Sequence, residues 1–492
     1  MIEGISNSLP LVFSFNSILM MSIGSLIGII MGALPGMTAT MTVAILVSFT
    51  FGMQPLPGMM LLLGIYGGAL YGGSMPAILI RTPGTPSAAA TVYDGYPMSL
   101  RGEAGLAIGV STFSSFFGGI IGLTIALFVS SWVAEFALRF GSAEYFALAV
   151  FGLTIIANIS EGAVIKGFIA GILGFFLSVV GLDPIQGYPR FTFGSAELLG
   201  GVEFIPVMIG LFGFSEGLSV MEKILAKYKS TQKLSGIIPS FAKLKKIFPT
   251  ILGSSVVGMF VGSLPGTGGD IAAFVAYNES KRWSKDKDTF GKGNIKGVAA
   301  AESGNKGCTA GALVPTLTLG IPGDSVTAIL IGALMVHGLQ PGPLFFEKNP
   351  ELAFGFFIGF MVVYCMILIF GLLGAGLWIR LISTPANFLW PIIFVLCVIG
   401  SFSMRNSIVD IWIMLGSGIL GYFMRKDGYP LAPVVLGIIL GPIAESNLRR
   451  AMVISGGNLD FLYTRPITLF LIIASFISII MPIIRTHIKR AD

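Results

Sequence analysis

The chain has 492 residues, of which 54% are hydrophobic and only 11% are charged, and its mean hydropathy is +0.88. A soluble domain carries roughly 25% charged residues, so this composition excludes an ordinary soluble globular protein. The net charge of +6 comes from Lys and Arg residues in short loops, as the positive-inside rule requires of membrane proteins. We therefore predict an all-α polytopic protein of the lipid bilayer that does not bind nucleic acid.

The first long apolar segment, "ILMMSIGSLIGIIMGA", can cross a hydrocarbon core of roughly 30 Å. No Lys or Arg precedes Arg81, so the basic stretch that opens a cleavable signal peptide is missing. We expect this segment to stay in the protein as a membrane helix. It runs into "GALPGMTAT", where the Pro35–Gly36 pair interrupts the apolar run.

A second interruption follows in "YGGSMPAILIRTPGTPSAA", residues 71–89. Both interrupted motifs, that at Pro35–Gly36 and that at 71–89, recur later in the chain. "GSLPGTGGD" begins at Gly262, 230 residues after the matching Gly32, and "LVPTLTLGIPGDSVTA" occupies 313–328. "GILGFF" at Gly171 likewise recurs as "GILGYF". Because the order of these echoes is the same in both halves, we predict two homologous repeats with broken helices and re-entrant hairpins.

The repeats are expected at residues 1–220 and 247–445, joined by a Lys-rich linker at 221–246. Residues 446–492 would form a connecting loop, a terminal helix at about 466–484 and a basic tail.

Loop charges indicate that the second repeat is inverted relative to the first. Residues 281–296 are rich in Lys, whereas the equivalent residues 51–58 carry no charge. About seven apolar segments in each half would also invert the second copy, because the number is odd. We expect the linker and 281–296 to be cytoplasmic and 51–58 to face the periplasm.

Broken helices survive in lipid only where they are buried in protein or line a cavity. Matched pairs of them mark the midplane sites of secondary transporters. A half-helix that starts after each break would point its free N–H groups at a carboxylate, without a need for arginine. The alternative is an ordinary proline kink whose Thr hydroxyls bond to their own helix. The candidate substrate-binding residues are Pro35, Gly36, Thr38, Thr40, Ser74, Thr85, Ser87, Pro265, Gly266, Thr267, Gly268, Gly269, Asn305, Thr316, Thr318, Ser325 and Thr327.

Charged residues inside apolar segments are costly and usually functional. Asp270, Glu302, Lys306 and Asp324 are such residues, and with Asn305 they are the candidates for ion coupling. Asp270, Asn305 and Asp324 would hold a coupling sodium. Lys306 could pair with Asp270 across the cavity, or with Glu302 four residues away on one helix face. The second pairing could also be purely structural, near the cytoplasmic interface.

No other cofactor or metal is expected, since the two histidines, His337 and His487, are 150 residues apart. The stretch "GTGG" lacks the Lys that follows in a phosphate-binding loop, and no HExxH motif is present. We therefore predict that the protein is not an enzyme. An anion channel and a membrane-embedded enzyme remain the alternatives to a secondary transporter.

Four long motifs closely resemble the TctA family, the large permease subunit of the tripartite tricarboxylate transporters. They are "GALPGMTATMTVA", "YGGSMPAILIRTPGTPSAAATVYDGYPM", "GSLPGTGGDIAAFVAYNESKRWSKDKDTFGKG" and "GALVPTLTLGIPGDSVTAILIGALMVHGLQPGP". The resemblance covers nearly the whole chain. The chain departs from it at "ESGNKG", where the usual motif reads ESANNA, so that Lys306 replaces an Asn.

The resemblance implies uptake of a small organic carboxylate of the di- or tricarboxylate class across the bacterial inner membrane. A sodium or proton gradient would drive this transport. Two partners are also implied, a small four-helix membrane subunit and a periplasmic solute-binding protein. The residues fit citrate, other di- and tricarboxylates and aromatic acids alike.

Overall fold

The computed structural model of the protein describes residues 1–34, 36–159, 164–183, 185–222, 236–382 and 389–491. Within these ranges the chain is mostly helical, and its strands are two short ones, β1 (Gly181–Leu182) and β2 (Pro189–Arg190), paired antiparallel. The prediction of an all-α fold is confirmed.

The helices of the first half are α1 (Ile2–Val12), α2 (Phe15–Ala33), α3 (Ala39–Leu46), α4 (Pro55–Gly72), α5 (Ser74–Ile80), α6 (Ala89–Leu100), α7 (Ala104–Ala137), α8 (Ser142–Ile159), α9 (Val164–Ser178), α10 (Phe204–Met208) and α11 (Ser215–Glu222). Those of the second half are α12 (Phe241–Gly262), α13 (Gly268–Trp283), α14 (Ile295–Leu319), α15 (Ser325–Val336), α16 (Pro343–Lys348), α17 (Pro350–Leu373), α18 (Ala375–Ile382), α19 (Leu389–Phe402), α20 (Ile408–Lys426), α21 (Ala432–Ile454), α22 (Phe461–Thr464) and α23 (Pro466–Ala491).

Six helical segments of the described chain are long and apolar enough to cross a membrane. They are Phe15–Ala33, Pro55–Ile80, Ala104–Ala137, Phe241–Gly262, Pro350–Leu373 and Ile408–Lys426. Shorter apolar helices, including Ala39–Thr50 and Ser325–Val336, begin just after the sequence breaks. These lengths support a polytopic membrane protein in which some helices are interrupted.

The chain forms two compact units, residues 1–134 with 219–395, and residues 135–218 with 396–492. In the first unit α2 packs against α4, and α12 packs against α14. In the second unit α9 packs against α21, and α10 packs against α20. Each unit takes segments from both halves of the sequence, so the compact units do not coincide with the predicted repeats. The repeat boundaries stay a prediction.

Glycine explains the close approach of the paired helices in the first unit. A Cβ atom added at Gly28 of α2 would lie 2.4 Å from the Ile65 carbonyl oxygen of α4. At Gly258 of α12, 230 residues later, it would lie 2.0 Å from the Gly304 carbonyl oxygen of α14. Neither contact leaves room for a side chain, so the two matching helix pairs depend on small residues at the interface.

The Pro-Gly break is built in the same way twice. Gly36 has φ 89° and Gly266 has φ 82°, a left-handed conformation that L side chains rarely adopt. In each break the N–H of the next residue donates to the carbonyl of the leucine two positions before the glycine, at 3.1 and 3.3 Å. α3 and α13 then start within three residues of the glycine. The predicted half-helices after the breaks are confirmed.

The second kind of break is also duplicated. α5 is followed by the C-cap residue Arg81, with φ 59°, and α14 by the C-cap residue Gly320, with φ 70°. In each case the N–H of the following residue donates at 3.3 Å to the carbonyl of a proline five positions before this left-handed residue. Equal turns at equivalent positions support two homologous repeats, while inversion of the second repeat stays a prediction.

Candidate substrate site

The two breaks of each predicted repeat touch each other inside the first compact unit. A Cβ atom at Gly84, in the break after α5, would lie 2.1 Å from the Gly32 carbonyl oxygen at the end of α2. In the second repeat the Gly266 N–H donates to the Gly323 carbonyl at 2.7 Å. Each repeat therefore brings its interrupted helices to a common point.

The breaks of the two repeats also meet across the unit. α3 packs against α15, and α13 packs against the short 3₁₀ turn Pro86–Ala88. A Cβ atom at Gly269, in the first turn of α13, would lie 2.3 Å from Asn305 Oδ1 and 3.3 Å from Ser87 Cβ. Three predicted site residues, from three different sequence motifs, are thus in contact. All four breaks surround one region of the unit.

The start of α13 has no hydrogen bond from the side chain of its capping residue. Thr267 precedes α13, but its side chain does not cap the helix. Its hydroxyl instead donates back to the Val261 and Leu264 carbonyls, at 2.5 and 2.9 Å. At the equivalent start of α3, Thr38 accepts a hydrogen bond from the Met41 N–H at 3.1 Å. The positive dipole end of α13, which its capping residue leaves without a side-chain hydrogen bond, is a candidate anion-binding feature, and Asp270 lies in the same turn.

Asn305 is the most unusual side chain at this point. It is fully buried on α14, and neither Oδ1 nor Nδ2 has a hydrogen-bond partner among the described residues. An unpaired buried polar group costs about 1–3 kcal/mol, and such groups are rare in folded proteins. Because the amide lies against Gly269, a ligand at the start of α13 would supply its missing hydrogen bonds.

Next to Asn305 on α14, Lys306 forms a buried ion pair with Glu302, one turn earlier. Lys306 Nζ donates to Glu302 Oε2 at 2.8 Å and to the Leu70 carbonyl at 3.3 Å. Glu302 also accepts from Thr91 Oγ1 at 2.5 Å and from Ser115 Oγ at 3.2 Å. The predicted i,i+4 pair is confirmed, and its carboxylate is held by α6 and α7 as well as by its own helix.

Asp324 caps the helix that starts after the break between α14 and α15. Its carboxylate caps α15 by accepting the Thr327 N–H at 2.8 Å, and the Thr327 hydroxyl closes a capping box. The buried Tyr66 hydroxyl of α4 donates to the other carboxylate oxygen. Asp324 therefore links α4 of the first repeat to the break of the second.

Asp270 lies in the first turn of α13. A sodium site at Asp270, Asn305 and Asp324, and a pair between Asp270 and Lys306, both stay predictions. Among the residues that the structure describes, no three or more His, Cys, Asp or Glu side chains are grouped to hold a metal ion.

Other hydroxyl groups predicted to line the site donate hydrogen bonds to backbone carbonyls instead. Ser74 Oγ donates to the Tyr71 carbonyl at 2.6 Å and shares a hydrogen bond with Ser111. Thr316 and Thr318 each donate at 2.6 Å to the carbonyl four residues earlier, which is the kink alternative raised from the sequence.

The remaining predicted residues lie around the breaks. Thr85 and Ser87 share a hydrogen bond of 3.1 Å. Thr40, Pro265, Gly268 and Ser325 are half-buried beside their breaks, and Pro35 lies outside the described residues.

Sequence reasoning missed the partners that tie the site to its surroundings. Tyr66 was detectable, because it is a polar residue inside the glycine-rich apolar stretch "GIYGG". Asp94 was also detectable in an apolar context. It is fully buried and accepts from Tyr277 Oη and from the Gly293 and Asn294 N–H groups at 2.7–2.8 Å. Isolated hydroxyls such as Thr91 carry no sequence signal.

Comparison with known proteins gives the family. The family described as "Tripartite tricarboxylate transporter TctA family" matches residues 18–436. A protein of Agrobacterium vitis, "Uncharacterized 52.8 kDa protein in TAR-I ttuC' 3'region", is 34% identical over 96% of this chain and 94% of its own length.

A second Agrobacterium vitis protein, "Uncharacterized protein in TAR-II ttuC' 3'region", is 36% identical over 48% of this chain and 97% of its own length. No solved structure matches the chain significantly. From the family match over residues 18–436, the chain belongs to the tripartite tricarboxylate transporter TctA family.

Proposed function

We propose that the protein is the subunit that carries an organic carboxylate of the di- or tricarboxylate class across the bacterial inner membrane. A sodium or proton gradient drives the uptake. A periplasmic solute-binding protein delivers the substrate, and a small four-helix membrane subunit completes the complex. Membership of a tripartite transporter family supports transport with partner subunits.

The observation that carries the proposal is the unpartnered Asn305 amide beside the first turn of α13. Its NH2 group can donate to a carboxylate oxygen, and its carbonyl oxygen can accept from a donor or ligate a cation. The N–H groups at the start of α13 add donors and a positive dipole end. A carboxylate therefore finds its complementary groups here without a cationic side chain.

Contacts between the breaks support an alternating-access mechanism. α13 meets the break after α5, and α3 meets α15, which starts at the equivalent break of the other repeat. This exchange is what an inverted pair related by a pseudo-two-fold axis would produce. Movement of one half against the other would then expose the α13 site to either side in turn.

The test is uptake by the complex with both partner subunits, reconstituted into vesicles, with a panel of labelled di- and tricarboxylates. We expect accumulation above the external concentration when a sodium or proton gradient is imposed. Asn305→Ala should lose this uptake, while Thr124→Ala, an exposed helical threonine that donates to its own helix, should keep it. Downhill flux without accumulation would indicate a channel, and full uptake by Asn305→Ala would refute this site.

A further inference from the structure

A groove of about 570 Å³ lies between α12 and α13, away from the candidate substrate site. The substrate site is at the start of α13, at Gly269, whereas the groove lies along its last turns, from Ala276 to Trp283. The loop after α13 and the start of α14 complete its rim. The groove is therefore a separate site at the other end of the same helix.

The two ends of the groove differ in chemistry. Its rim carries the ammonium groups of Lys246, Lys285 and Lys296. The wall below the rim is mostly apolar, with Pro249 and Val257 of α12 among its residues, and it also carries the hydroxyls of Thr250, Ser254 and Ser280. From Lys246 to Val257 the helix rises about 16 Å, at 1.5 Å per residue. An acyl chain entering from the rim would reach about the middle of a 30 Å hydrocarbon core.

Two of the three lysines at the rim have no ion-pair partner among the described residues. Lys246 and Lys285 make no ion pair or hydrogen bond with the described residues. Lys296 Nζ is 3.3 Å from Ser284 Oγ and 3.4 Å from the half-exposed Asp286 carboxylate. The lining also contains one carboxylate, that of Glu279.

The Glu279 carboxylate does not neutralise the rim lysines, because it has other partners. It accepts from Trp283 Nε1 at 2.9 Å and from the Arg282 guanidinium at 3.5 Å. An anion at the rim would therefore meet the ammonium groups of Lys246 and Lys285, and that of Lys296, which is shared with the half-exposed Asp286 carboxylate.

Side-chain exposure places the rim at a membrane–water boundary. α12 changes from charged to apolar between Lys246 and Ile247, and further along it Leu252 is 45% exposed. Trp283, at the end of α13, is 81% exposed. Tryptophan is enriched where the headgroups meet the hydrocarbon, and basic pockets at the cytoplasmic surface bind acidic headgroups.

We propose that this groove binds an anionic phospholipid. The headgroup phosphate is held by Lys246, Lys285 and Lys296, and an acyl chain follows the apolar wall between α12 and α13. A free phosphate would use the same lysines but would leave the apolar wall empty, so the length of the groove favours the lipid.

Fluorescence quenching by brominated lipids tests the site, since Trp283 lines the groove. The protein is placed in phosphatidylcholine vesicles that contain either brominated phosphatidylglycerol or brominated phosphatidylcholine. The Trp283 signal is the difference between wild type and Trp283→Phe. We expect brominated phosphatidylglycerol to quench this signal preferentially. The double variant Lys246→Gln/Lys285→Gln should lose about fivefold of the preference for each lysine.

The matched control is Lys243→Gln/Lys245→Gln, which removes the same charge from exposed positions near the start of α12 outside the groove. It should keep the preference. Equal quenching by both lipids in wild type, or equal losses in the two double variants, would overturn the proposal. Loss of the preference on adding millimolar inorganic phosphate, but not chloride of equal ionic strength, would assign the groove to a soluble anion instead. Stabilisation of wild type, but not of the groove variant, by phosphatidylglycerol in a thermal melt would support the lipid independently.

Discussion

Lys306 Nζ lies 2.8 Å from Glu302 Oε2, and the two side chains are 0% and 1% exposed. The ammonium also reaches the Leu70 carbonyl near the end of α4, close to Gly73, where α4 continues into α5 with a helical backbone. The end of α4 thus has a buried ammonium group beside it, supplied by α14. Because the carboxylate has two further hydroxyl donors and the ammonium has a carbonyl acceptor, both charges have hydrogen bonds beyond the ion pair, which a buried ion pair needs if it is not to destabilise the fold.

Removing either charge of this pair should strongly destabilise the protein. Lys306→Gln or Glu302→Gln would leave one buried charge without its counter-ion, and each should destabilise the protein by about 3–5 kcal/mol. The double variant should regain much of this loss, since no charge remains. Thermal unfolding of the four proteins measures the coupling.

The exposed pair Arg282–Glu279, at 3.5 Å, is the control for the buried one. Arg282→Gln should change stability by less than about 1 kcal/mol, because solvent screens surface pairs. Single variants of the buried pair that are no less stable than Arg282→Gln would contradict the structural role.

Asp270 and Lys306 should also take part in coupling transport to the ion gradient. If Lys306 takes the place of a coupling cation, Lys306→Asn leaves Glu302 with room for an external one, and uptake should become more dependent on sodium. Asp270→Asn should lose uptake while it still inserts into the membrane. Initial uptake rates at matched membrane potential, in sodium or choline buffer, measure both effects. Unchanged rates in both variants would remove these residues from the coupling mechanism.

Gly36 and Gly266 should tolerate no side chain. At φ 89° and 82° the backbone of a bulky L residue is strained, even if its side chain has enough space. Gly36→Leu and Gly266→Leu should therefore abolish uptake by displacing the starts of α3 and α13, with normal membrane insertion. Gly416→Leu is the control, because nothing lies within 4 Å of a Cβ at this position. Wild-type uptake by Gly266→Leu would show that the second break is not functional.

The features that could be read from the sequence are those that depend on local spacing. Glycine after proline, 230 residues apart, predicted Gly36 and Gly266 as equal breaks, and the four-residue spacing predicted the Glu302–Lys306 pair. The donors to Glu302 could not be predicted. Thr91 is 211 residues away and is an ordinary hydroxyl in a helix, so its role depends entirely on tertiary packing. The division into compact units could not be predicted from the sequence either, because it also depends on tertiary packing.

The membrane topology can be tested by cysteine labelling. The exposed Cys365 should first be replaced, since the other two cysteines, Cys308 and Cys397, are buried. Asp288→Cys, in the predicted cytoplasmic loop, should react with a membrane-impermeant maleimide only after the cells are opened. Gly52→Cys, in the equivalent loop of the first repeat, should react from outside, and nothing lies within 4 Å of its Cβ. Labelling of both positions from the same side would exclude inverted repeats.

Acid stability should report on Asp183, in the hairpin between α9 and α10. The N–H groups of Gln186 and Ile185, followed by the Arg449 guanidinium, lower the pKa of this carboxyl from 3.8 to about 2. A lowered folded-state pKa means that the carboxylate stabilises the fold above the unfolded-state pKa, and that this contribution disappears as the pH falls through the folded-state pKa. Asp183→Asn should therefore be less stable than wild type by a constant amount from about pH 8 to 5, and the difference should shrink only below about pH 4. Thermal melts across this pH range, with the exposed Asp288→Asn as the control, measure the difference. If the difference in stability between wild type and Asp183→Asn already disappears between about pH 6 and 5, another group controls the stability of this hairpin.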